Sequence, residues 1–200
     1  PVRRQSLHMD DYRRVLDALD ANGLLYPCFC TRRDIAEAAS APHRAPDGTM
    51  VYPGTCRHMD PGRRAELLAA GMPYALRLDM TRALQWPGAT ALTWHEMGRG
   101  PQPCQPQHFG DVVLARKDAP TSYHLAVTVD DAAQGVTDVV RGIDLFAATH
   151  VHRLLQALLG LPTLRYHHHP LLLDAGGERL AKRRGSASLA DLRAGGADPV

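Results

Sequence analysis

Tyr123-His124-Leu125-Ala126-Val127-Thr128-Val129-Asp130-Asp131-Ala132-Ala133-Gln134-Gly135-Val136-Thr137-Asp138-Val139-Val140-Arg141-Gly142-Ile143-Asp144 is the stretch on which the reading of this chain turns. An apolar, β-branched run from Leu125 to Val129 ends in two carboxylates. A short Gly-containing connection follows, and a second run from Val136 to Val140 ends in Arg-Gly-x-Asp. The pattern predicts two buried strands that deliver polar groups at their C-terminal ends. In an open α/β sheet those ends are where ligands bind. Tyr123 and Arg141 are then expected to face one pocket, offering a phenolic hydroxyl and a guanidinium to the polar groups of an amino acid. The plainer alternative makes Asp130, Asp131 and Asp144 solvated turn carboxylates and Arg141 a surface ion pair.

Working outward, Gly110 to Leu114 reads as another strand and Tyr74 to Met80 as a half-buried one. Upstream, Tyr12, Val15, Leu16 and Leu19 follow helical spacing, with Asp10 or Asp11 as cap and Gly23 as stop. Thr31 and Asp34 form a capping-box pattern for a helix through Ala39, and Asp60-Pro61 opens a helix to Ala70. Thr81 to Phe109 carries both Trp but little periodicity. It reads as loops with short strands, an insertion between two halves of a sheet. Downstream, Thr149 is expected to cap a helix bearing Val151, Leu154, Leu155, Leu158 and Leu159, ended by Gly160 and Pro162. Leu171 to Leu173 is strand-like, and Ser188 with Asp191 restarts a helix.

The 200 residues, 44% hydrophobic and 22% charged, are those of an ordinary soluble globular protein. No apolar run approaches the roughly 20 residues a bilayer span needs, and no leader opens the chain, so a cytoplasmic location is expected. A formal net charge of +2 neither demands a nucleic acid nor excludes one. The chain opens with Pro and enters a helix-like segment almost at once, which reads as a piece of something longer.

Three of the four cysteines fall in two clusters, Cys28-Phe29-Cys30 and Cys56, separated by a helix and a loop. Thiols grouped this way without a secretory leader point to metal rather than to a disulfide. Zinc takes four tetrahedral ligands, so Tyr52 or His58 must supply the fourth; general chemistry favours His58, because neutral imidazole is the commoner ligand. Cys104, in a Pro-rich segment, reads as a bystander. His167-His168-His169 invites a metal reading, but alternate strand residues face opposite ways, so at most two could share an ion. Glu178 to Gly185 is a basic, Gly-flanked loop of the kind that neutralises charge on phosphoryl oxygens. Walker A, G-x-G-x-x-G, G-x-S-x-G and H-E-x-x-H patterns are absent.

Leu-Ala-Val-x-Val-Asp-Asp, Gly-Val-Thr-x-Val-Val-Arg-Gly-x-Asp-Leu, Leu-Leu-Gly-Leu-Pro and Arg-Leu-Ala-Lys-Arg occur in this order and spacing. Together they resemble the second half of the catalytic domain of glutamate-activating class I aminoacyl-tRNA synthetases. The compact Cys28-x-Cys30 to Tyr52-x-x-x-Cys56 element and the near-termination after the lysine loop are most similar to the glutamyl-Q tRNA(Asp) synthetase family. The resemblance implies an α/β fold: the second half of a Rossmann-type catalytic domain with an inserted zinc-binding subdomain. Its implied divisions are the end of the first half (1–27), the zinc-binding and connective insertion (28–109), the second half (110–176), and the KMSKS-like loop with the start of a helical region (177–200). It further implies ATP with Mg2+, glutamate and tRNA(Asp) as partners, a monomer, and one structural zinc. Carried over by position, Tyr123 and Arg141 hold glutamate and Lys182 is the catalytic, ATP-contacting lysine of the loop. Cys28, Cys30, Tyr52 and Cys56 are implied as the zinc ligands, which favours Tyr52 over His58. The chain departs from the pattern where Ala181 replaces the usual Ser, and where the half carrying the HIGH-type motif has no counterpart. The alternatives are a catalytic-core fragment of a glutamyl-tRNA synthetase and a non-catalytic binding remnant.

Overall fold

A computed structural model describes residues 3–38, 44–173, 180 and 189–196. The elements in chain order are α1 (Met9–Ala21), β1 (Leu25–Cys28), α2 (Arg32–Ala38), α3 (Pro61–Ala69), β2 (Ala75–Leu78), α4 (Met80–Leu84), β3 (Thr93–Glu96), β4 (Gly100–Pro103), β5 (Val113–Ala115), α5 (Tyr123–Ala133), β6 (Asp138–Gly142), α6 (Ala148–Leu158), β7 (Arg165–His169) and α7 (Leu189–Ala194). Two sheets result. β1, β2 and β5 form an antiparallel sheet in that order. The second runs β4-β3-β7-β6, antiparallel between β3 and β4 and parallel from β3 through β7 to β6.

The largest departure from the sequence expectation is Leu125 to Val129, which is not a strand but the interior of α5. A short apolar run fits either periodicity, and the termini decide it. The Ser122 side chain accepts the Leu125 N–H at 3.4 Å, satisfying one of the first-turn donors. At the other end Gly135 adopts φ 66°, a left-handed conformation that ends a helix without a Cβ penalty. Leu125 and Ala126 join the core beside Tyr12, Leu16 and Leu19 of α1 and Val151, Leu154 and Leu155 of α6. Asp130 is likewise no solvated turn residue. It accepts from the Tyr12 hydroxyl at 2.8 and 2.9 Å, from Arg3 Nε at 2.6 Å and from Gln5 Nε2 at 3.0 Å, tying α5 to the N-terminal segment.

Other boundaries move for local reasons. The α1 N-cap is His8 without a side-chain bond, and Asp10 and Asp11 lie in the first turn, where they complement the helix dipole. Thr149 is inside α6, whose N-cap is Ala147, so its hydroxyl is available for another use. β2 stops at Leu78 because the Asp79 side chain accepts the Arg82 N–H and starts α4. The last strand is Arg165–His169, and Leu172 and Leu173 beyond it are exposed. The expected capping box is present: Thr31 N–H reaches Asp34 at 2.7 Å and Asp34 N–H reaches Thr31 at 3.2 Å. Asp60 caps α3 as read, and α7 lies where a closing helix is expected.

Candidate functional site

Arg141 lies next to last on β6, paired in register with His168 of the parallel neighbour β7. Gly142 follows, and a Cβ there would stand 2.5 Å from Asp144 Oδ1 and 3.0 Å from Leu171 Cδ2, so a larger residue would push these two side chains aside. The guanidinium turns inward and is almost fully engaged. Its Nε donates to His168 Nε2 at 3.0 Å, Nη1 bonds His152 Nδ1 at 3.1 Å, and Nη2 donates to Thr149 Oγ1 at 2.7 Å and to the Leu145 carbonyl at 3.2 Å. His168 is held on its far side by Glu96 of β3, which takes the His168 backbone N–H and faces Nδ1, both at 2.8 Å. His152 Nε2 continues to His124 Nδ1 at 3.1 Å, and the Tyr123 ring packs edge-on against His152 with centroids 5.6 Å apart. Tyr123 and Arg141, paired from the sequence, therefore converge on one histidine. Tyr123 arrives there from the first turn of a helix, not from a strand end.

Burial pushes His124 and His168 below the ordinary imidazole value and His152 well below it, with the Arg141 charge acting in the same direction; at His168 Glu96 opposes without reversing the effect. Burial also raises the Asp131 carboxyl nearby. An open cleft of about 500 Å³, lined by Pro46, Asp47, Arg99, Asp144 and Phe146, adjoins this cluster through Phe146, whose ring lies 5.1 Å from that of His168. Sequence reasoning did not find Glu96, His124, His152 or Thr149. The alternation rule alone could have pointed to His168, the inward member of its triplet.

A second cluster joins the end of β1 to the loop before α3. The sulfurs of Cys28, Cys30 and Cys56 lie within 4.8 Å of one another. Cys30 Sγ is 3.5 Å from both Cys56 Sγ and Tyr52 Oη. Tetrahedral zinc spaces its sulfurs about 3.8 Å apart and an oxygen about 3.5 Å from a sulfur, so the four groups fit one ion with little movement. Tyr52 is buried and its hydroxyl also accepts the Cys56 N–H at 2.8 Å, whereas His58 is exposed and receives only Arg57 Nε at 3.4 Å. The geometry favours Tyr52 over His58. Burial pushes the Cys30 thiol up to about 11 and, with the three thiols as hydrogen-bond partners, raises the Tyr52 phenol further. At Cys56 burial also pushes upward, but hydrogen bonds from Tyr52 and the backbone at Phe29 outweigh it and the thiol falls below its ordinary value. Arg77 sits 3.8 Å over the Tyr52 ring, and its charge favours anionic ligands there. Cys104 stands apart, bonded to the His150 carbonyl at 3.2 Å. Lys182 and the rest of its loop, Arg179 to Arg183, lie outside the described residues apart from Leu180.

Residues 1–199 match the family model of tRNA synthetases class I (E and Q), catalytic domain. The chain is 49% identical over its full length to a glutamyl-Q tRNA(Asp) synthetase of Rhodobacter capsulatus, spanning 73% of that protein. It is 46% identical to one of Nocardia farcinica, spanning 60% of it. A crystal structure of a glutamate tRNA ligase from Elizabethkingia meningosepticum superposes with a TM-score of 0.70 at 24% identity, over 92% of this chain and 38% of that one, a likeness of fold. The chain therefore belongs to the class I tRNA synthetases of the glutamate and glutamine group, matching the model of their catalytic domain, with glutamyl-Q tRNA(Asp) synthetases among its relatives.

Proposed function

We propose that this chain serves the ATP-dependent activation of glutamate and its transfer to the queuosine base of tRNA(Asp). The carrying observation is the convergence of Tyr123 and Arg141 on His152, which makes one recognition site from two distant segments. Relatives at 46 to 49% identity bear the matching name. In this reading the Arg141 guanidinium and the Tyr123 hydroxyl hold glutamate while its carboxylate attacks the α-phosphorus of ATP and pyrophosphate leaves. The chain's contribution is placement and charge compensation. Lys182 neutralises charge on the departing phosphates, which Mg2+ also binds. The thiols of Cys28, Cys30 and Cys56 with the Tyr52 hydroxyl would hold a zinc ion, whose role there would be structural. The reaction belongs in the cytoplasm, where tRNA and ATP meet; among the described residues no helix is long and apolar enough to cross a membrane.

The test is glutamate-dependent exchange between pyrophosphate and ATP by the full-length protein, followed by transfer of labelled glutamate to tRNA(Asp). Exchange should fall at least about a hundredfold in Lys182→Ala, the size of a charge contact made to the transferring group. Exchange at full rate in that variant would remove Lys182 from the mechanism, and no exchange at all would remove the activity. Since the family model covers both glutamate and glutamine enzymes, ordinary charging of tRNA(Glu) is the second reading. A base-labile product on tRNA(Glu), in place of labelled tRNA(Asp), would establish it.

A further inference from the structure

Arginine has five N–H donors and no acceptor, so it reads out the protonation of whatever it touches. Because Nε of Arg141 points at His168 Nε2, that nitrogen must offer a lone pair, and the single ring proton sits on Nδ1, facing Glu96. Because Nη1 points at His152 Nδ1, the His152 proton sits on Nε2 and is donated to His124 Nδ1. The whole chain Glu96, His168, Arg141, His152, His124 therefore has one consistent set of neutral imidazoles. Adding a proton to His168 or His152 turns an acceptor into a donor against Arg141. Among the described residues the internal partners occupy Nε, both N–H groups of Nη2 and one of Nη1, leaving one Nη1–H and the cation's charge for a ligand.

We infer that His152 and His168 are positioning residues of the amino-acid site, whose lone pairs fix the plane of the Arg141 guanidinium so that one N–H and the charge meet the substrate's carboxylate. The inference rests on the glutamate reading of Arg141. It makes binding sensitive to acid, since both histidines must be neutral. The groups facing them are few. His168 meets Glu96, Arg141 and Thr149, stacks on Tyr166 with ring centroids 5.9 Å apart, and feels Arg99. His152 meets Arg141, His124 and the Tyr123 ring, and His124 in turn feels Asp47. Among the described residues Glu96 favours protonation of His168 and Asp47 that of His124, while His124 and His168 both disfavour it at His152. Burial and Arg141 oppose it.

The experiment combines nitrogen-15 NMR of the imidazoles with glutamate binding measured by calorimetry on the full-length protein. Near neutral pH, His168 should be neutral with its proton on Nδ1 and His152 neutral with its proton on Nε2. A proton on His168 Nε2 or on His152 Nδ1 overturns the inference. Arg141→Ala should weaken glutamate binding by at least about tenfold, the value of one charge-assisted contact. His152→Leu and His168→Leu, similar in bulk but without lone pairs, should each weaken it by about the same factor. His152→Asn, whose carbonyl can stand near the Nδ1 position and cannot titrate, should stay within about threefold of the parent and lose affinity less steeply in acid. Unchanged binding in Arg141→Ala would remove the glutamate reading itself. A strong effect of Arg141→Ala beside unaffected binding in folded Leu variants would remove only the positioning role. Should the Leu variants fail to fold, the tautomers and the His152→Asn acid profile decide.

Discussion

Glu96→Gln changes hydrogen-bond polarity at the root of the Arg141 cluster while leaving volume almost untouched. Both carboxylate oxygens of Glu96 serve as acceptors for His168, one for the backbone N–H and one for Nδ1, each at 2.8 Å. Glu96 is 1% exposed, so water cannot take over a lost bond. An amide has one acceptor. If its carbonyl keeps the backbone N–H, its NH2 faces Nδ1 and drives the His168 proton to Nε2, against the Arg141 Nε donor 3.0 Å away. If the carbonyl keeps Nδ1–H, the NH2 opposes the backbone N–H. Either orientation strands one buried donor, at a cost of about 1–3 kcal/mol. In a domain of this size each kcal/mol moves the melting temperature by about 2–4 °C, so Glu96→Gln should melt about 2–12 °C lower. Thermal and urea unfolding of the parent, Glu96→Gln, His168→Leu and the double variant form the assay. With Leu at position 168 only the backbone N–H needs an acceptor, so Glu96→Gln should cost little in that background. An unchanged melting temperature, or an equal cost in both backgrounds, refutes the tautomer assignment.

Four further outcomes are expected. Ser122→Ala removes the α5 cap and, with the observed bond as long as 3.4 Å, should cost near the lower end of about 0.5–2 kcal/mol by urea unfolding. Leu154→Ala, at a fully buried position, should cost about 2–5 kcal/mol, measured the same way. His124, His152 and His168 all have folded values below the ordinary 6.5, so below that pH the unfolded chain binds more protons than the folded one. Stability should therefore fall as pH drops from 6.5 toward the folded values, with urea midpoints above about pH 5 separating this from carboxylate titration. Elemental analysis should give about one zinc per chain, with chelation or Cys56→Ser lowering the melting temperature; a metal-free protein of full stability would exclude the ion.

What the sequence disclosed follows from how far apart the interacting residues lie. β6 with Arg141 near its end was legible because its β-branched run is bounded by Gly135 and Gly142, and the helix at Asp60-Pro61 because cap and Pro are adjacent. Leu125 to Val129 was not, since a five-residue, mostly apolar run satisfies both periods. The deciding signals were Ser122 before the run and Gly135 after it, which bound a segment too long for one strand. Alternation correctly turned His168 away from its exposed neighbours His167 and His169. Its partner Glu96 lies 72 residues away on another strand, and no local pattern announces such a pair. General chemistry alone prefers His58 as fourth partner of the thiols, whereas the resemblance and the geometry both favour Tyr52, because ligand frequency says nothing about direction. His58 follows Arg57 outward while Tyr52 lies under Arg77.

The helical state of the Leu125 segment is what allows the recognition cluster to exist. In a strand Tyr123 and His124 would point to opposite faces, and only one of them could reach His152. At the start of α5 both do, with ring centroids 5.6 and 5.2 Å from His152. The same helix carries Asp130, about 10 Å further along its axis, into the bonds from Tyr12, Arg3 and Gln5. α5 is thus a strut with one end in the N-terminal segment and the other against the imidazole that touches Arg141. A change at Asp130 that lets α5 shift along its axis should therefore disturb His124 and His152 before it disturbs Arg141, whose place on β6 is set by the ladder to β7. Nitrogen-15 shifts of His124 and His152 that remain fixed in Asp130→Asn, in a protein measurably less stable, would show that the two ends of the helix are mechanically independent.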